Sequence, residues 1–392
     1  MKPLEGLRVL SVEQFAAAPY GTMFLADLGA EVIKIENAAT GGDTARQVGP
    51  YFLGPGDSLY FQGWNLNKRS VLLDLKSDAG RAAFERLVGS ADAVINNLRG
   101  DQPAKLGLDY ASLSKINRAV VCLHISAYGR DNERAARPGY DFLMQAEAGL
   151  MSLTGEPDGP PSRFGPSIID YMTGVVGMVG LLSCLRQAQR TGRGCDVDTC
   201  LFDVALHQLN YAATWYLNEG YVSTRQPRSA HFFISPVQTV PTADGWIFVM
   251  CMTDKFWETL LEGLGRRDLG EDPRFADQIA RHQNRAALTA ILEAEFRKQP
   301  SGYWLAKLSS ELPIAPVYDL PQALENPFVR RTGMVRSVPH PRRPNLRVLA
   351  SPIKVDGARP EQKAAPPAGA DDEALLGAAA GGGEPTRRGP GS

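Results

Sequence analysis

The chain has 392 residues, 44% hydrophobic and 22% charged, the balance of a globular protein long enough for two domains or one large domain with an appendage. A formal net charge of −1 gives no bulk electrostatic attraction for nucleic acid. Five cysteines, Cys122, Cys184, Cys195, Cys200 and Cys251, make no CxxC pair, and the odd count argues against a disulfide framework, so a reduced, cytoplasmic setting is expected.

The opening "MKPLEGLRVLSVEQ" has neither an apolar signal core nor an Arg-rich presequence. "RVLSV" (8–12) predicts a strand, "PYGTMFLADLG" (19–29) a helix stopped by Gly29, and "EVIKIE" (31–36) the next strand. "SVLLDL" (70–75) follows as a strand, then a helix with Ser77 as N-cap, a strand at 92–97, a helix at 109–118 capped by Asp109, and a strand at 119–126. This alternation predicts an α/β fold with a mostly parallel sheet and helices on both faces. Tyr171 to Leu185 carries no charge, but this run of fifteen is shorter than the ~20 residues that span a bilayer, so it reads as a buried helix and no membrane partner is expected.

After Gly194 the pattern reads as one long helix ending at Gly220. "VQTVPTADGWIFVMCM" reads as a hairpin with an Asp244-Gly245 type I′ turn, followed by helices at 253–265, 283–298 and 301–311. The expected organisation is a large Rossmann-like domain at 1–200, a linker helix at 201–224, a small α/β domain at 225–325, and a return segment at 326–392 with a disordered Ala/Gly/Pro-rich tail.

Several chemistries lack their signatures. The first βα turn, "VEQFAAAPYG", has no GxGxxG, although Glu36 ends the second strand where a ribose-gripping acid stands in dinucleotide enzymes. No GxxxxGK[ST] loop or GxSxG elbow is present, and the five histidines, at 124, 207, 231, 282 and 340, show no paired metal spacing. No metal or resident cofactor is expected. Lys34, Lys68, Arg69, Lys76, Arg99, Lys105 and Arg137 fall near strand-end loops, where open α/β sheets bind ligands; each also reads as a solvated surface charge. Asp170 stands before an apolar helix striped by Gly174, Gly177 and Gly180. It reads either as a helix N-cap or as a partly desolvated, nucleophilic carboxylate.

The segments "LEGLRVLSVEQFAAAPYGTMFLADLGAEVIKIEN", "GGDTAR", "NLNKRSVLLDLKS", "ADAVINNLRG", "RPGYDFLMQAEAGLMSLTGEPDGPP", "DYMTGVVGMVGLLSCL" and "DPRF" together resemble the family III CoA-transferases, from Leu4 to about Leu376. That group includes formyl-CoA, carnitine and bile-acid CoA-transferases and the α-methylacyl-CoA racemases. The resemblance implies CoA transfer between an acyl-CoA and a carboxylic acid, with Asp170 as nucleophile, Tyr140 beside it, and an interlocked homodimer. It places CoA contacts at Phe15, Ala16, Ala17, Asn37, Leu73, Lys76, Asn97, Leu98, Arg99, Lys105 and Arg137. Ala16 and Asn37 replace a Gln and an Arg of the formyl-CoA transferases, which speaks against formyl-CoA and oxalate. The racemases carry a His near Tyr140, and its absence favours transfer over racemisation. A non-catalytic CoA-binding protein is the remaining alternative. Arg225, Arg228 and His231 in "RQPRSAHF" are candidates to read the distal carboxylate of a dicarboxylate acceptor such as succinate.

Overall fold

The computed structural model describes residues 2–377; the expected disordered tail lies largely outside them. The chain forms two compact units, one comprising residues up to Ala148, Gly165–Gln208 and the chain from Pro327 onward, the other Gly149–Phe164 and Leu209–Asn326.

The first unit is built on β1 (Arg8–Val12), β2 (Glu31–Asn37), β3 (Arg69–Leu73), β4 (Ala93–Asn96), β5 (Val121–Ser126) and β6 (Asp196–Cys200). All neighbours pair in parallel in the order β3-β2-β1-β4-β5-β6, with Leu10 opposite Ile33 on one side and Val94 on the other. Strands buried on both faces read as continuous apolar runs, which is why most were legible. The order reverses between β1 and β4, so their carboxyl ends flank the crevice where such sheets take ligands.

One face packs Leu10, Ile33, Val71 and Val94 against Phe84 and Leu87 of α2 (Asp78–Val88), whose N-cap Ser77 accepts from Gly80 N. The other face carries α1 (Ala17–Asp27) and α5 (Ile168–Thr191), with α3 (Gln102–Lys105) and α4 (Asp141–Glu147) between them in the chain. The glycine stripe serves this packing. A Cβ on Gly174 would lie 2.3 Å from Ala17 O, and one on Gly177 would press on Ile125 and Leu123. The whole α5 has 24 residues and is long and apolar enough, by length and composition, to cross a membrane; in this fold its glycine face lies on α1 and the sheet.

The long helix expected from 196 to 220 is a strand and two helices: β6, α6 (Leu201–His207) and α7 (Asn210–Glu219). "DVDTC" alternates exposed and half-buried positions as an edge strand does, and Asn210, at φ 43°, breaks the helical path. Gly220 ends α7 in the left-handed conformation, as read from the sequence.

After the second unit the chain returns to the first. It forms a hairpin (Val335–Val338 with Leu346–Leu349) and then covers the open edge of β3. Asp371 accepts from Ser70 N at 3.0 Å and Asp372 from Leu72 N at 2.8 Å, blunting an edge that would otherwise pair with other chains.

The second unit has the antiparallel strands β7 (Val237–Pro241), β8 (Trp246–Met250) and β9 (Ile314–Pro316) against α8 (Asp254–Leu264), α9 (Arg285–Phe296) and α10 (Ser301–Leu308). Val240, Ile247, Trp257, Leu260, Phe296 and Trp304 form its core. The β7–β8 hairpin forms where expected, but not as a type I′ turn. Neither Asp244 nor Gly245 has positive φ, and Asp244 instead accepts from Ser301 N at 2.7 Å, tying the turn to α10.

Candidate active site

Asp170 is not the cap of α5. The N-cap is Ser167, whose side chain makes no capping bond, and Asp170 lies in the first turn. The cap comes from another helix. Asp141, 2% exposed, opens α4, and its Oδ2 accepts from Ile169 N at 2.6 Å and Asp170 N at 2.9 Å. Its Oδ1 accepts from Gln145 Nε2 at 2.6 Å. The positive end of α5 thus serves Asp141, and no donor among the described residues bonds the carboxylate of Asp170. Burial first, and the Asp141 charge second, push Asp170 up to about 7.

An aromatic wall completes the surroundings. Tyr171 stacks on Tyr20 at 4.7 Å and leans on Trp64 at 5.1 Å, and Tyr60 packs on Trp64 at 5.4 Å. Burial raises the Tyr60 phenol and the Asp170 charge adds to it. Tyr140, the 61% exposed N-cap of α4, meets the edge of Phe15 at 6.2 Å.

Phe15, after β1, has φ 57°, a conformation costly for a bulky residue and held only where its surroundings fix it. Its N–H donates to Asp43 Oδ1 at 3.3 Å. Asn97, after β4, clamps the same turn: its Oδ1 accepts from Gln14 N at 2.9 Å and its Nδ2 donates to Gln14 O at 2.7 Å. Below lies a buried charge network. Lys34 bonds Asp43 at 2.8 Å, Lys68 bonds Glu13 at 2.7 Å, and Arg46 bonds Glu36 through two nitrogens at 2.6 and 2.7 Å. Burial pushes Lys68 down to about 8, while Lys34 is raised because Asp43 and Glu13 outweigh its burial.

This arrangement corrects the basic-residue reading. Lys34 and Lys68 are structural ion-pair partners, Arg69 is held by Glu31 and Asp371, and Glu36 is occupied by Arg46 and Ser70 rather than open to a ribose. Three other cations of that set are exposed on the first unit. Lys76 is exposed, Arg99 is half exposed with Asp101 at 3.4 Å, and Lys105 is exposed with its Nζ 2.6 Å from Asp101.

Comparison with known proteins identifies the family. The family model described as CoA-transferase family III matches residues 4–372. The chain is 34% identical over 359 residues to the acetyl-CoA:oxalate CoA-transferase of Acetobacter aceti (91% of this chain, 90% of that protein). It is 35% identical over 338 residues to the succinate–glutarate CoA-transferase of Agrobacterium fabrum (85% and 84%). Among solved structures, a CaiB/BaiF family protein from Brucella suis superposes with TM-score 0.83 at 34% identity, covering 96% of this chain and 99% of that one. This chain belongs to CoA-transferase family III.

A family III CoA-transferase takes CoA thioesters as substrates, and the residues assigned to CoA by resemblance all lie in the first unit. Ala16 and Ala17 are buried at the start of α1 beside Phe15. Asn37 ends β2 and spends its Oδ1 on Ala39 N at 3.0 Å. Leu73 ends β3 with its side chain in the core, and Leu98 packs on the same core from the loop after β4. Arg137 precedes α4, its guanidinium over the Tyr128 ring at 5.3 Å and 3.9 Å from Glu147.

In the second unit the three candidate dicarboxylate residues all have partners within the chain. Arg225 donates to the carbonyls of Gly159 and Pro160 at 2.7 and 2.8 Å. Arg228, at φ 60°, is paired with Glu293 at 2.5 Å, so it is not a free cation. His231 Nδ1 accepts from Phe233 N and Ile234 N, and its ring stacks on Tyr211 at 5.7 Å. Sequence reasoning passed over Asp141, Tyr60 and Tyr171. "GYDF" places an acid next to Tyr140, but nothing in its spacing announces that it caps a helix 28 residues on.

Proposed function

We propose that Asp170 carries the acyl and CoA groups of the transfer in turn. The observation that carries this reading is a partly desolvated carboxylate that takes no hydrogen-bond donor among the described residues, its basicity raised to about 7. Such an oxygen gains more than a solvated one by bonding carbon. Asp170 attacks the thioester carbonyl of the acyl-CoA and expels CoA thiolate, leaving an aspartyl–acyl anhydride. The thiolate attacks the aspartyl carbonyl, releases the first acid and leaves an aspartyl–CoA thioester. The acceptor carboxylate attacks that thioester, the thiolate leaves again, and its attack on the acceptor's acyl carbon regenerates Asp170. Every exchange is between carboxylate derivatives of similar energy, which suits a carboxylate better than a hydroxyl or thiol nucleophile.

The acceptor in this proposal is a dicarboxylate. Its support is the relatives named for oxalate, glutarate and mesaconate, the last from Haloarcula hispanica at 34% identity, and not the Arg228 loop. The oxalate relative also weighs against excluding oxalate on Ala16 and Asn37. Tyr140 in place of a histidine supports transfer over racemisation, which needs a second base. An interlocked homodimer is also proposed, supported by the exposed apolar stripe Met172, Val175, Val176 and Val179 on α5. The test is CoA exchange from succinyl-CoA to a panel of acids, read by mass spectrometry. Wild type should transfer to dicarboxylates and Asp170→Ala should not; transfer by Asp170→Ala at a wild-type rate overturns the proposal.

A further inference from the structure

We propose that Asp141 is a positioning residue for this reaction: it takes the two N–H groups at the start of α5 and sets its own charge beside Asp170, so that the helix start does not stabilise the Asp170 carboxylate. The inference rests on Asp170 being the nucleophile. Free N–H groups in a helix first turn stabilise any carboxylate beside them and make it a weaker base. Here Ile169 N and Asp170 N are both consumed by Asp141 Oδ2 at 2.6 and 2.9 Å. Gln145, one turn along α4, fixes the other oxygen at 2.6 Å, so the carboxylate cannot rotate away. Asp141 therefore does two things with one group. It anchors the backbone on which the nucleophile stands, and it denies the nucleophile the stabilisation that backbone would have given.

The electrostatic neighbours of Asp170 are few. Asp141 faces it from α4. Tyr60, from the helix Leu59–Gln62, and Tyr171, on α5 itself, both feel its charge, and both phenols are raised, Tyr171 to about 12, so they stay neutral through an assay between pH 5 and 9. No Lys, Arg or His among the described residues acts on it. The state of Asp170 in that range is thus governed by burial and by Asp141.

The test is the pH dependence of kcat/KM for Asp141→Asn. Asparagine keeps an oxygen acceptor for the two amides and removes the charge. The acid limb should move to lower pH by on the order of one unit, the effect of deleting one like charge at close range. Asp141→Glu, which keeps the charge, should leave the limb where the wild type has it. A purely structural role would lower the rate at all pH values with an unmoved limb, and an unmoved limb in Asp141→Asn overturns the proposal. If that variant does not fold, difference infrared spectra of wild type against Asp170→Asn decide instead. The protonated acid band of Asp170 should disappear near neutral pH, and its loss near the ordinary aspartate value of about 4 overturns the proposal. Covalent capture of CoA on Asp170 separates the two ideas. Capture with an unmoved limb sinks only the Asp141 role; absence of capture sinks the nucleophile.

Discussion

Replacing Asp170 should make the protein more stable, and by an amount that depends on pH. Asp170 has its folded pKa raised from 3.8 to about 7, so its ionised form is disfavoured by the fold. The sign follows from linkage. Below 3.8 the group is protonated in both folded and unfolded states and costs nothing. As pH rises from there to about 7 the unfolded chain releases the proton first, and wild type loses stability throughout that window. The gap is about three pH units at about 1.4 kcal/mol each, a ceiling near 4 kcal/mol. Asp170 is partly exposed, so solvent screening reduces this to about 2 kcal/mol. Asp170→Asn should therefore match wild type near pH 4 and exceed it by about 2 kcal/mol at pH 8. Urea unfolding of both proteins at the two pH values is the assay. An equal difference at both, or a variant less stable at pH 8, would refute the claim that Asp170 is held in a destabilised ionised state.

Lys76→Ala and Arg99→Ala should each raise KM for the acyl-CoA donor roughly tenfold, the loss of one charge-assisted contact of about 1.4 kcal/mol, with less change for the acceptor acid. Lys105→Ala should do less, because its ammonium is already held by Asp101; steady-state kinetics with both substrates varied decides. Gly174→Ala should destabilise the first unit by at least about 1–3 kcal/mol in thermal unfolding, since its Cβ would sit 2.3 Å from Ala17 O, and an unchanged Tm would contradict the helix contact. Arg46→Ala leaves Glu36 buried without its partner and should cost about 3–5 kcal/mol, again read from unfolding. Light scattering on dilution to micromolar concentration should show a dimer throughout, and a monomer would refute interlocking.

What was legible in the sequence was what local pattern encodes. Most strands of the sheet are continuous apolar runs, Gly29 and Gly220 mark chain stops, and Ser77 and Asp109 cap the helices that follow them. The edge strand β6 was hidden because two aspartates in five residues look like a helix surface when the partner strand is out of view. Charge was misread for a related reason. Lys34 and Lys68 look like surface lysines until Glu13, 21 and 55 residues away, is brought against them. Asp170 was visible by resemblance, but its state was not. The N-cap reading fails because Asp141 arrives from another helix and takes the amides at the start of α5.

In the proposed reaction Asp170 becomes covalently acylated and then carries CoA. Incubating wild type with an acyl-CoA and hydroxylamine, without acceptor acid, tests it most directly, because hydroxylamine cleaves an aspartyl anhydride or thioester to a stable hydroxamate. Peptide mass spectrometry should find that hydroxamate at Asp170, with loss of activity in proportion. An unmodified Asp170 peptide in enzyme that still turns over would contradict the account.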